Sequence, residues 1–209
     1  MAAMPETVVA YFDYLCPYAW RGAEVAEWVA EPLGLRFEWR HFSLIQSNRV
    51  AAGVAGQVWN DRLDPDDATG GLGLRAFLGS CAARQQGTEA FDRYRLALMR
   101  ARHRDGAPFN EATLVRVAED VGLHVARFER DLADPELRTC LAQEHHRAVA
   151  LDVFGTPTFA FDDGALAYLR VKELPSDQDE AVRLFRAYRN LLHEFPYLET
   201  VRRPRPPRN

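Results

Sequence analysis

The feature that most constrains this chain is a β-favouring run that stops at a Cys-Pro pair. Val8 to Phe12 is apolar almost without interruption, as a strand buried on both faces of a sheet requires. Asp13-Tyr14-Leu15 then makes a turn. Cys16-Pro17-Tyr18-Ala19-Trp20 opens a segment with near-helical spacing at Tyr18, Ala19, Val25, Ala26 and Val29. Proline suits the first turn of a helix, because the amide it lacks would be unpaired there anyway. Cys16 is therefore expected at the N-terminal lip of a helix, where free amides converge and the macrodipole is positive. Thiols in such places ionise more readily than free ones, and the thiolate is the nucleophile. Cys16 reads as a nucleophile or a thiol-binding anchor. The plainer alternative is a small residue packed under a helix, which is common for unpaired cysteine.

The rest of the chain divides around that start. Glu31-Pro32-Leu33-Gly34 is expected to end the first helix near Ala30. Leu35 to Phe42 alternates, with Leu35, Phe37, Trp39 and His41 on one face and Arg36, Glu38 and Arg40 on the other, which predicts a strand. A strand–helix–strand unit of this kind takes a right-handed crossover. Ser43 to Asp67 shows no clear period; it holds Gly53, Gly56, Pro65 and an acidic cluster of Asp64, Asp66 and Asp67, and is expected as a long loop. Five helical patterns follow: Leu72 to Gln86, Glu89 to His103, Asn110 to Val121 with Asn110 as its cap, Val125 to Leu132, and Pro135 to Leu151. Thr158 to Phe161 and Ala165 to Val171 read as strands joined by the turn Asp162-Asp163-Gly164. Ser176 is expected to cap a last helix, with Asp179 at the capping-box position.

Phe154-Gly155-Thr156-Pro157-Thr158-Phe159 supplies a second motif, a Thr-Pro pair ahead of a strand. With Cys16-Pro17, it resembles the thioredoxin superfamily and specifically its DsbA-like branch, of the FrnE-like cytoplasmic kind. The resemblance implies an α/β thioredoxin fold, β-α-β and then β-β-α, with an all-helical insertion. It implies that Thr156-Pro157 is a cis-proline loop facing Cys16. Residues 1–67 and 151–200 would form the thioredoxin-like domain, 68–150 the helical insertion, and 201–209 a basic, proline-rich tail. In relatives of this branch the region after the second strand wraps near the active site, which makes Phe42, Ser43, Asn48 and Trp59 candidates to line a pocket.

The departures narrow the chemistry. Dithiol members carry Cys-x-x-Cys, whereas here the fourth position is Ala19. The run Phe12-Asp13 and Pro17-Tyr18-Ala19-Trp20 also resembles 2-hydroxychromene-2-carboxylate isomerases and kappa-class glutathione transferases, which have serine where Cys16 stands. The leading expectation is a monothiol oxidoreductase. Cys16 would form mixed disulfides with a small thiol or a protein disulfide. Pro17, Tyr18, Trp20, Thr156 and Pro157 would bind the partner, and Asp13 is a candidate proton shuttle for the thiol. No cofactor is expected to be tightly bound; glutathione or another low-molecular-weight thiol would serve as co-substrate. The alternatives are a glutathione-dependent isomerase or transferase and a binding module without catalysis. Members of the isomerase and transferase groups pair into dimers, so the resemblance carries a homodimer as a further expectation.

Composition bounds the rest. A formal net charge of −4 gives no general pull toward nucleic acid or an anionic membrane. Three cysteines without framework spacing do not suit a disulfide-stapled secreted domain. The start lacks a basic segment, and its apolar run is too short for a signal-peptide core or a membrane span. A cytoplasmic protein with reduced thiols is expected. Glu144-His145-His146 lacks a ligand pair at helical spacing, so no metal site is expected there and all three read as surface or core polar residues. Cys81 and Cys140 read as small core residues of the helical block. Gly70-Gly71-Leu72-Gly73 lacks the context of a phosphate loop, and no serine nucleophile elbow occurs.

Overall fold

β1 (Glu6–Phe12) is the pivot of a four-stranded sheet of order β2-β1-β3-β4. β2 (Leu35–His41) runs parallel to it, from Glu6 opposite Leu35 to Phe12 opposite His41. β3 (Thr158–Phe161) runs antiparallel on its other side, from Val8 opposite Phe161 to Tyr11 opposite Thr158. β4 (Leu166–Tyr168) pairs antiparallel with β3. The computed structural model describes residues 5–64, 71 and 73–203. Most of the expected acidic cluster, two of the four residues in the glycine-rich run, and the end of the basic tail lie outside them.

The element order gives the thioredoxin arrangement with a helical insertion. α1 (Pro17–Leu33) links β1 to β2. Among the described residues, six α-helices then intervene before β3: α2 (Leu44–Ala51), α3 (Leu74–Arg84), α4 (Thr88–His103), α5 (Glu111–Asp120), α6 (Val125–Leu132) and α7 (Glu136–Ala150). α8 (Gln178–Glu194) follows β4 and packs on α1. Rings meet edge-on through the core. Phe12 contacts Tyr14 and Trp39, and Phe159 contacts Phe185. Each such ring, once buried, contributes about 1.5–3 kcal/mol.

Several boundaries differ from the sequence expectation, each for a local reason. α1 runs through Pro32 to Gly34, whose left-handed φ of 62° makes the cap. The missing Pro32 amide leaves the Trp28 carbonyl open, and Gln178 Nε2 donates to it at 2.9 Å. The segment after β2 is not structureless. Ser43 caps α2, its Oγ accepting from Gln46 N at 3.2 Å, and Val58–Asn60 forms a 3-10 turn. Gln46 Oε1 accepts from Val58 N at 2.8 Å, so one side chain ties that turn to the helix. β4 is shorter than expected because β3 offers it partners only from Thr158 to Ala160. The cap of α8 is Asp177, which accepts from Glu180 N at 2.7 Å, while Glu180 Oε2 accepts from Ser176 N. The capping pair is thus Asp177 and Glu180, one residue later than expected. Asn110 does cap α5, accepting from Thr113 N at 2.9 Å.

Candidate active site

Cys16 is the N-cap residue of α1, in extended conformation at φ −90° and ψ 111°, and Pro17 takes the first helical position. The turn before it is closed by Cys16 N donating to Asp13 O at 3.1 Å. The carbonyl of Cys16 accepts the first helical bond, from Trp20 N. The side chain caps nothing on its own helix. Its Sγ donates instead to Thr156 O at 3.3 Å, across the crevice between α1 and the segment leading into β3. The Thr156–Pro157 peptide is cis. Two segments at opposite ends of the sequence thus meet through a sulfur and a carbonyl.

The proline loop is held from three sides. Thr158 Oγ1 donates to Gly155 O at 2.8 Å. Leu169 N donates to Pro157 O at 3.1 Å, which anchors the chain just after β4. The Pro157 ring lies over Gly22 of α1, where an added Cβ would stand 2.5 Å from Pro157 Cγ. Only glycine lets the helix approach this closely. Thr156 Oγ1 is buried without a hydrogen-bond partner among the described residues, beside the carbonyl that meets the thiol.

The rim is aromatic and cationic. Arg170 Cζ lies 3.6 Å from the centroid of the Tyr18 ring, and its charge acts on the hydroxyls of Tyr18 and Tyr168. Burial pushes the Tyr168 hydroxyl up from its ordinary range, and the Arg170 charge pulls it back. Tyr168 borders Gly155 and the ring of Phe154, which is 70% exposed. An exposed guanidinium over aromatic faces at a thiol suits a ligand that carries a carboxylate.

Asp13 has a different place from the one expected of a proton shuttle. It is fully buried, and its oxygens accept from Leu15 N and Leu44 N, each at 2.7 Å. It ties the turn before Cys16 to the start of α2. Burial pushes its carboxyl up to about 6, while those two amides pull the other way. Among the described contacts neither oxygen meets the Cys16 sulfur. Trp20 is also tied elsewhere. Its indole donates to Glu24 Oε1 at 2.9 Å and stacks on His103, and Glu24 is paired with Arg100 of α4. Ser43 N donates to His145 Nδ1, and Phe42 stacks on that ring, so these residues serve the contact with α7. Trp59 packs on His145 and His146. Asn48 is exposed on α2.

A second thiol group lies in the helical block. Cys81 of α3 and Cys140 of α7 stand on facing turns where these helices pack, close enough for each thiol to influence the other. His41 Nδ1 is 3.7 Å from Cys81 Sγ and 2.7 Å from Glu144 Oε2. Arg84 Nη1 meets the other Glu144 oxygen at 2.6 Å, and the guanidinium charge also acts on Cys140. Glu144 and His145 therefore serve as buried polar partners at the end of β2. Both cysteines read from the sequence as small core residues; Cys81 is buried, but Cys140 is only half-buried.

Comparison with known proteins adds to this geometry. Residues 7–177 match the family model described as the DSBA-like thioredoxin domain. The uncharacterized protein Rv2286c of Mycobacterium tuberculosis (strain ATCC 25618 / H37Rv) is 27% identical over 202 residues, covering 96% of this chain and 83% of that protein. A solved 2-hydroxychromene-2-carboxylate isomerase is similar in fold, with TM-score 0.62, 19% identity, 93% of this chain and 100% of that one covered. The cytosolic disulfide reductase DsbM of Pseudomonas aeruginosa, solved with GSH, gives TM-score 0.56 at 18% identity, covering 88% of this chain and 99% of that one.

Proposed function

The chain belongs to the DSBA-like thioredoxin-domain family, and from that premise we propose that it is a cytoplasmic thiol–disulfide oxidoreductase working through the single thiol of Cys16. The observation that carries this reading is the contact between Cys16 Sγ and Thr156 O beside the cis-proline. It holds a sulfur at a helix N-terminus and against a loop that can align a second sulfur. Ala19, fully buried at the fourth position of the motif, offers no resolving thiol there.

The reaction then runs in two exchanges. The Cys16 thiolate attacks a substrate disulfide, forms a mixed disulfide with one half and releases the other half as a thiolate, which takes a proton. An external low-molecular-weight thiolate next attacks the substrate sulfur of that mixed disulfide and releases Cys16 as thiolate. Each cycle replaces one half of the substrate disulfide by the external thiol and releases the other half as a free thiol. Tyr18 and Arg170 form the rim on which a carboxylate-bearing thiol such as glutathione would dock. DsbM, a cytosolic disulfide reductase solved with GSH, is similar in fold and supports the choice of thiol and compartment. No helix among the described residues is long and apolar enough to cross a membrane.

A second reading keeps glutathione but not the exchange. Cys16 donates a hydrogen bond to Thr156 O, and the same S–H aimed at a bound glutathione thiolate would serve an isomerase or transferase. The fold likeness to the isomerase favours this version. A coupled assay separates them: reduction of a small mixed disulfide by reduced glutathione, with wild type and Cys16→Ser compared. Turnover that vanishes in Cys16→Ser is the expected result. Equal turnover in the two proteins overturns the redox reading. Stabilisation by reduced glutathione without any turnover favours the isomerase or transferase.

A further inference from the structure

The Cys81–Cys140 pair is not used by the chemistry at Cys16. It lies where α3 packs on α7, far in sequence from the Cys-Pro motif: the Arg84–Glu144 ion pair closes at 2.6 Å one turn beyond the two cysteines, and His41 Nδ1 lies 3.7 Å from Cys81 Sγ and 2.7 Å from Glu144 Oε2. Its surroundings are asymmetric. Cys81 is 2% exposed, and both the neighbouring Cys140 thiol and burial push its own thiol well above the ordinary range. Cys140 is half-buried, and its thiol is drawn down by the neighbouring Cys81 thiol and by the Arg84 guanidinium, against the opposing effect of burial. Glu144 opposes the Cys140 thiolate, yet its carboxylate is already occupied by Arg84 and His41. Two thiols on facing helix turns, one half-buried beside a cation and the other sealed, have the division of labour of an attacking and a resolving cysteine.

We propose that Cys140 and Cys81 form a second redox dithiol, independent of Cys16, that is oxidised by small disulfides such as oxidised glutathione. The Cys140 thiolate attacks one sulfur of the small disulfide, making a mixed disulfide and releasing one small thiolate. Cys81 then attacks the Cys140 sulfur, forms the Cys81–Cys140 bond and releases the second small thiolate. The two protein thiols lose two protons, which the two released thiolates take up. One small disulfide is reduced and one protein dithiol is oxidised. The product bond would pin α3 to α7 beneath the end of β2, where His41, Arg84 and Glu144 meet.

The test uses the full chain carrying Cys16→Ser, so that it does not depend on the reading of the first site. The protein is incubated with oxidised glutathione, kept folded as judged by near-UV circular dichroism, and mapped by non-reducing peptide mass spectrometry. The expected product is a Cys81–Cys140 linked peptide, an intact mass lower by two hydrogens, and a raised thermal midpoint that reductant reverses. Adding Cys81→Ser should stop the reaction at a glutathione adduct on Cys140. Both thiols remaining free, or a lasting Cys140 adduct while Cys81 is present, overturns the proposal.

Discussion

The two thiol centres of this protein are built from different materials. At Cys16 the environment is backbone: the start of a helix, a carbonyl, a cis imide and a glycine that lets the proline approach. At Cys140 it is side chains: a guanidinium, a carboxylate, an imidazole and a second thiol. The first depends on two ends of the chain meeting correctly, so errors in packing should damage it. The second depends on charges staying paired, so loss of charge should damage it. Substitutions can therefore separate them.

The largest effect is expected at Glu144. Glu144→Gln leaves Arg84 and His41 without their shared carboxylate, and breaking such a buried pair costs about 3 kcal/mol. Burial pushes the Glu144 carboxyl up, but the charges of His41 and Arg84 more than offset this and hold it down at about 2, against an ordinary 4.5. A depressed carboxyl contributes stability above about pH 4.5 that is lost as the pH falls toward 2, so the variant should lose this part of the acid slope in urea titrations. His145 adds a neighbouring slope. Burial, aided by His146, holds its ring at about 4, so stability present above pH 6.5 falls as the pH drops through 4, and that slope should survive in Glu144→Gln. Adduct formation at Cys16 should be unchanged in the variant while it remains folded.

Gly22→Ala tests the other side. Its Cβ would stand 2.5 Å from Pro157 Cγ, so the helix and the proline loop must separate. Overpacking of this kind costs about 1–3 kcal/mol. Denaturant titration should show that loss. The same variant should form Cys16 adducts more slowly while Cys81 and Cys140 react as before. Equal slowing at both centres would erase the distinction between them.

Arg170→Gln should have the smallest effect. An exposed cation over an aromatic ring is worth about 0.5–1 kcal/mol, or roughly a two- to five-fold change. We expect that change in KM for reduced glutathione, with kcat and stability held.

What the sequence disclosed follows the same division. Cys16-Pro17 and Thr156-Pro157 were legible because proline restricts the backbone wherever it stands, and a thiol before it at a helix start has a defined setting. The five later helices were legible because each carries a continuous apolar period, and Val125–Leu132 has the predicted bounds. α2 was missed although Ser43 and Gln46 have the Ser-x-x-Gln spacing of a capping box. Gly22 was not singled out, because a glycine inside a helical pattern reads first as a weakness and its reason lies in Pro157. Arg170 joins Tyr18 only through the pairing of β3 with β4. The nearness of Cys81 to Cys140 depends on how two helices pack, which no local pattern records.

The central claim is that Cys16 is the exchanging thiol. Its most direct test is limiting oxidised glutathione added to the native wild-type protein, followed by a rapid acid quench and non-reducing peptide mapping. The account predicts an adduct on the peptide containing Cys16, removed by reductant. A Cys16 peptide that stays unmodified in the folded protein, yet is labelled once the chain is denatured, would contradict it.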